Sequence, residues 1–180
     1  MADRGLTGVL LVGGASVRFG IPKPLARLDG ETLAERAWRT LGEACEERLA
    51  VGKQADDLPL PFTVIDDGTD VRAPIAGVVA GLRAARHDVC VFLPVDCPLV
   101  TAASISHLGE AVGVAQTGPL PGAYPRGALP VLERRLGAGE LALRDAVREL
   151  GLPTVDIDPH QLLNINTASD LELLRGRQDY

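Results

Sequence analysis

Short apolar runs, each about one strand long, alternate with segments whose apolar residues recur at helical spacing, and this alternation constrains the fold more than any other feature of the chain. Strands buried on both faces read as continuous apolar runs, and a connection that carries a helix brings the chain back parallel to its start. The pattern predicts an α/β fold, a single-domain three-layer α/β/α sandwich with a Rossmann-like, mostly parallel sheet. At 180 residues the chain is one domain long, and no internal repeat or long linker divides it.

A first strand is expected near 6–12, a loop over 13–20, and a helix from about Thr32 with Leu33, Ala37, Trp38, Leu41 and Ala44 on one stripe. Strands follow near 48–51 and 62–65. Pro74 suits the first turn of a helix reaching about Arg86, because its missing N–H would be unpaired there anyway. Residues 89–93 read as a buried central strand, after which Pro94 and Pro98 end regular pairing and fix a loop around Asp96. A helix starts at Thr101. The last third reads as a strand near 112–117, a Gly/Pro-rich loop through Gly127, a short helix near Pro130, a helix over 142–150 and a strand over 154–157. Thr167 and Asp170 form a capping box for a terminal helix.

Composition excludes several classes of function. A formal charge of −6 disfavours nucleic acid and anionic membranes as partners, although a local cationic pocket can still hold a phosphate. Aromatics are 3% of the chain, too few for platforms that stack single-stranded bases. Cys45, Cys90 and Cys97 are too few and too scattered for a disulfide framework or a cysteine zinc site, which points to the reducing cytoplasm. No stretch approaches the roughly 18 apolar residues of a membrane span.

The segment LLVGGASVRFGIPKPL, residues 10–25, sets glycines directly after a strand and cations shortly beyond. Gly13 and Gly14 remove side chains that would block a phosphate, while Arg18 and Lys23 can neutralise its charge. A bare turn with surface cations is the plainer alternative. Gly20 is followed by Ile21 rather than by a lysine and a hydroxyl residue, so a Walker-type loop is disfavoured, and no Gly-x-Gly-x-x-Gly opens a helix as NAD binding requires.

Asp96, at the end of a central strand, stands where open α/β sheets hold ligands and is the best metal ligand in the chain. Magnesium can be anchored by one carboxylate when a triphosphate supplies further oxygens. An Asx turn capping the next helix is the rival reading. Asp66, Asp67 and Asp70 cluster after another strand, and one of them could accept hydrogen bonds from a ribose or base. His87, His107 and His160 share no ligand spacing and read as surface residues, and Cys97 reads as a small buried thiol.

Together, LLVGGASVRFGIPK (10–23), VIDD (64–67), PIAGVVAGL (74–82), FLPVDCPLV (92–100) and LLNINTASDLELL (162–174) resemble, in order and spacing, the MobA-like nucleotidyltransferases, in particular their molybdenum cofactor guanylyltransferase branch. The resemblance implies the nucleotide-diphospho-sugar transferase type of sandwich. It also implies magnesium-dependent transfer of GMP from GTP to molybdopterin, or its molybdenum-bound form. In it, Leu11, Val12 and Gly13 line the nucleotide, Lys23 meets phosphate, Asp67 meets the nucleoside and Asp96 binds magnesium, while Gly14 and Arg18 join them on the chemistry of the glycine loop alone. Asn164 and Asn166 match paired asparagines on the pterin side.

Residues 1–100 would then form a GTP-binding half and 101–180 an acceptor-binding half. Other molybdenum cofactor biosynthesis proteins and recipient molybdoenzymes are the partners such a role brings. Gly52 stands where guanylyltransferases often carry asparagine, and Tyr124-Pro125 replaces a common His-Pro pair in a later loop. The alternatives are a molybdenum cofactor cytidylyltransferase, disfavoured by Gly13-Gly14 and by Asn164 and Asn166; a sugar-phosphate nucleotidyltransferase, supported by Pro22-Lys23-Pro24-Leu25; and a nucleotide-binding module without turnover.

Overall fold

The apolar run after Gly5 forms β1 (Leu6–Leu11), which lies at the centre of the molecule. A computed structural model describes residues 5–13 and 20–176. After β1 come a small hairpin of β2 (Arg27–Leu28) and β3 (Glu31–Thr32), then α1 (Leu33–Ala44), β4 (Glu47–Gly52), β5 (Val64–Asp66), α2 (Pro74–Ala84) and β6 (Val89–Pro94). The remainder is α3 (Ala102–Ala111), β7 (Val114–Ala115), β8 (Gly122–Pro125), α4 (Leu129–Gly137), α5 (Leu143–Leu150), β9 (Thr154–Val155) and α6 (Ala168–Gly176).

Seven strands share one sheet in the order β5-β4-β1-β6-β8-β7-β9. β5, β4, β1 and β6 are mutually parallel, whereas β8 runs antiparallel to both β6 and β7. Side chains alternate across the sheet, as the two-residue period of a strand requires. Leu10, Val91 and Leu93 join α1, α3 and α6 in one core, and Val9, Leu11 and Phe92 join α2, α4 and α5 in the other. The expected three-layer sandwich is therefore present, with a helical layer on each face.

The helix starts expected near Thr32 and Thr101 fall one residue after each threonine. Thr32 caps α1 in a reciprocal box with Glu35, and Thr101 caps α3. Thr167 and Asp170 exchange hydrogen bonds at 2.8 and 3.2 Å ahead of α6.

The last third departs from expectation. The strand expected over 112–117 shrinks to Val114–Ala115, because Val112 closes α3 in the left-handed region at φ 48°. The strand expected over 154–157 ends at Val155, and Ile157 instead exchanges backbone hydrogen bonds with the Gln116 amide. The Gly/Pro-rich loop contains a strand, β8, whose Tyr124 is fully buried edge-on against Phe92 and donates its hydroxyl to the Pro119 carbonyl at 2.8 Å. Tyr124 is thus a core residue, not a loop residue at a site. Near 62–65 only Val64 and Ile65 pair, while Phe62 stacks on Trp38 at 4.3 Å. His107 and His160 are exposed, but His87 is half-buried with its ring packed over Gly5.

Candidate active site

Parallel strands in register bring their carboxyl ends to one edge, where Leu11 pairs with Val51 and Pro94, and Gly52 pairs with Asp66. Three further backbone bonds carry the pairing one residue beyond the regular strands: Val12 to Val51 at 3.0 Å, Asp67 to Gly52 at 3.0 Å and Val95 to Leu11 at 3.2 Å. They place Gly13, Asp67 and Asp96 along a single rim. That rim opens onto a cleft of about 390 Å³ lined by Leu11, Val12, Gly13, Lys23, Asp67, Asp96 and Asn164. Gly14 and Arg18 lie outside the described residues.

Asp96 sits where the prolines were expected to put it. β6 runs through Pro94, a turn closes with Cys97 N–H donating to the Pro94 carbonyl at 3.2 Å, and the Asp96 carbonyl accepts from Ile165 N–H at 2.8 Å. Its carboxylate is partly exposed and lies 3.7 Å from Lys23 Nζ. Lys23 opens a short 3₁₀ turn, Lys23–Leu25, and its ammonium also donates to Asn166 Oδ1 at 3.4 Å. Ile165 is buried in the core between the two exposed asparagines. Asn164 is tied instead to the residue after Asp96, its Oδ1 accepting from Cys97 Sγ at 3.0 Å. Burial and then the Asp96 charge push the Cys97 thiol well above its ordinary range, so it stays protonated and can donate.

The acidic cluster divides into different tasks. Asp66 accepts from the Gln54 and Gly68 amides, each at 2.7 Å, and these bonds hold its carboxyl below the ordinary value while fixing the turn after β5. Asp67 lines the cleft and is paired at 2.6 Å with Lys53, a lining residue that sequence reasoning passed over. One cue was available: the chain has only two lysines, Lys23 and Lys53, and both line the cleft. Arg72, paired with Asp56 at 3.0 Å, and Leu120, from the connection before β8, are further lining residues without a sequence cue.

Two glycines permit the close packing at this edge. A Cβ on Gly52 would come within 2.8 Å of Val12 Cγ2, so glycine lets the ends of β4 and β1 sit close together here. A Cβ on Gly77 would meet Leu11 Cδ2 at 2.8 Å, so glycine lets α2 seat its first turns on β1. The start of α2 then reaches the cleft through Ala73, Pro74 and Gly77, and unpaired amides at a helix start favour anions. A rim with two carboxylates, Asp67 and Asp96, two lysines, Lys23 and Lys53, a helix start and the Asn164 amide can hold a polyphosphate and set a second substrate beside it.

Comparison with known proteins agrees with this arrangement. Residues 8–154 match the MobA-like NTP transferase domain. The chain is 33% identical over 197 residues to a probable molybdenum cofactor guanylyltransferase of Chloroflexus aggregans, covering 95% of this chain and 94% of that protein. It is 30% identical over 187 residues to the molybdenum cofactor guanylyltransferase of Desulfosudis oleivorans, covering 93% of each. Among solved structures, molybdopterin-guanine dinucleotide biosynthesis protein A from Archaeoglobus fulgidus superposes with a TM-score of 0.77 at 25% identity, over 96% of this chain and 98% of that one. With its sheet edge, its cleft and these relatives taken together, the chain belongs to the MobA-like NTP transferase family.

Proposed function

We propose that this protein transfers GMP from GTP to molybdopterin or its molybdenum-bound form, giving the guanine dinucleotide cofactor and pyrophosphate. The observation that carries the reading is the convergence of Lys23, Asp96 and Asn164 in one cleft at the carboxyl edge of the sheet, in a chain whose full-length relatives are named molybdenum cofactor guanylyltransferases.

An acceptor phosphate oxygen attacks the α-phosphorus of GTP, a new P–O bond forms, and the bond to the bridging oxygen breaks as pyrophosphate leaves. The acceptor phosphate is already anionic at neutral pH, so no protein nucleophile or general base is needed. Positioning and charge stabilisation supply the acceleration. Lys23, with Arg18, meets the phosphates; Leu11, Val12, Gly13 and Gly14 offer backbone groups; Asp67 faces the nucleoside; and Asn164 and Asn166 take the pterin side. Residues 1–100 thus serve GTP and residues 101–180 chiefly the acceptor.

Asp96 is suited to magnesium. Among the described residues no group of three His, Cys, Asp or Glu side chains converges as a self-sufficient metal cage. Magnesium, which takes one or two carboxylates together with substrate phosphate and water, fits a single partly exposed carboxylate on the rim. Bound there, the ion supplies positive charge against the triphosphate and the departing pyrophosphate. No helix among the described residues is long and apolar enough to cross a membrane. The reading places the protein in the cytoplasm, receiving its pterin from cofactor-biosynthesis proteins and passing its product to molybdoenzymes.

The test is a competition. Purified protein, magnesium, molybdopterin and equal GTP, CTP and ATP should yield the guanine dinucleotide, detected by mass spectrometry, with matching pyrophosphate release. A cytosine product would move the protein to the cytidylyltransferase branch, and no product with any nucleotide would leave only a binding module.

A further inference from the structure

Both lysines of the chain line the cleft, and they are held in different ways. Lys53 follows the last residue of β4, and an ammonium has three donors. Its three acceptors are Asp67 Oδ1 at 2.6 Å, the Val71 carbonyl at 2.8 Å and the Thr69 carbonyl. The side chains of the ion pair are only 11% and 7% exposed. An ammonium so enclosed and fully used has no donor left for a phosphate. Turning it toward one would strand a buried carboxylate or carbonyl. Among the described residues Lys23 donates to Asn166 at 3.4 Å and lies 3.7 Å from Asp96, contacts that a shorter charge-assisted bond to phosphate can replace.

All three acceptors of Lys53 lie on the stretch 67–71, immediately before Arg72, Ala73 and Pro74, which line the cleft and open α2. The same stretch folds on itself, with Thr69 N–H donating to Asp67 Oδ1 and Val71 N–H to Thr69 Oγ1, each at 3.2 Å. Both bonds to the Asp67 carboxylate use Oδ1, so Oδ2 is the oxygen it can offer a ligand. A carboxylate oxygen takes O–H or N–H donors, which a ribose or a guanine edge carries and a phosphate does not.

We infer that Lys53 is a positioning residue for the nucleoside half of the substrate: it holds Asp67 and the 69–71 backbone in the shape that receives the nucleoside and makes no contact with the phosphates. The inference rests on the guanylyltransferase reading. Asp67 faces the nucleoside only through Lys53, and Lys53 acts only through the stretch it ties down.

Calorimetric titration of guanosine and GTP tests it with three proteins: wild type, Lys53→Met and Lys23→Met. Lys53→Met should weaken guanosine and GTP by the same factor, about ten- to a hundredfold. In the transfer assay it should raise KM for GTP while kcat at saturation is largely kept. Lys23→Met should weaken GTP and leave guanosine within about twofold, as expected of a contact made to phosphate alone. Lys53→Arg should not restore binding, since a planar guanidinium fork cannot copy three converging ammonium bonds.

A GTP loss in Lys53→Met much larger than the guanosine loss would make Lys53 a phosphate ligand and overturn the inference, as would unchanged binding of both. If Lys53→Met does not fold, Asp67→Asn with the lysine retained must show the same parity of guanosine and GTP, and a loss confined to GTP rejects the idea. Wild-type protein that binds no GTP overturns the guanylyltransferase reading itself, and the inference with it.

Discussion

β5, β4, β1 and β6 share a sheet with β8, β7 and β9, yet the two groups are built differently. The first group is parallel and its central strands are largely buried on both faces, so Val89–Pro94 is an unbroken apolar run, Leu6–Leu11 is interrupted only by Thr7 and Gly8, and their ends align. The second is mixed in direction, two of its strands have two residues each, and its pairing is completed by side chains such as the Gln116 amide. Aligned ends make a rim, and Gly13, Asp67 and Asp96 stand on it. The short-stranded half contributes to the same cleft through segments that are not strands, Leu120 and Asn164. If, as proposed, strand ends serve the nucleotide and connections the acceptor, the two should respond differently to substitution.

The sharpest separation comes from Asp96→Asn. It keeps the shape of the residue but removes its charge, so turnover should fall about a hundredfold or more, the scale of losing one major electrostatic element. Melting temperature should barely move. Near-normal magnesium-dependent pyrophosphate release would make Asp96 a structural cap and dissolve the contrast between the halves.

Next in size is Lys23→Ala. Loss of a charge-assisted phosphate contact should weaken triphosphate binding or transfer by about 1.5 to 3 kcal/mol. The partly exposed pair with Asp96 adds little to stability, about 0 to 1 kcal/mol. Equal losses of activity and melting temperature would return the loop to a bare structural turn.

On the acceptor side, replacing Asn164 and Asn166 together by alanine should weaken molybdopterin use by about tenfold, the scale of one or two neutral hydrogen bonds. GTP binding should stay nearly intact. A comparable loss of GTP affinity would show that the halves do not divide the substrates.

The smallest effect is set by pH. Asn166 and Thr167 amides donate to Asp170 and hold its carboxyl below the ordinary 3.8. Because the folded value is the lower one, the carboxylate's hold on the asparagine segment is complete above the ordinary value and is lost as pH falls through the folded one. Amide resonances of Asn166 and Thr167 followed from about pH 5 to about pH 2 should shift together, and Asp170→Asn should abolish the transition.

How much of this was legible follows the same division. Apolar runs, the Pro74 helix start and the prolines around Asp96 are local signals, and the parallel half obeys them. β8 was not legible because Gly122, Pro121 and Pro125 carry the chemistry of a loop, and the strand forms through long-range pairing with β6 and β7. Val112, read as the first strand residue, adopts a positive φ that a β-branched residue rarely takes, and tertiary packing overrides the propensity. In the site, Asp96, Lys23 and Asn164 could be placed from motif and spacing. Lys53 could not, because its part depends on carbonyls sixteen and eighteen residues away that converge only after folding.

The backbone bond from Ile165 to the Asp96 carbonyl has a consequence for synthesis. Every strand of the described sheet is complete by Val155, and the chain emerges from its N-terminus, so the sheet can assemble before Asn164 exists. Asn164, Ile165 and Asn166 then arrive after the strands and dock onto a loop already fixed by β6. A chain cut short after β9 would keep all its strands and lack one wall of its cleft.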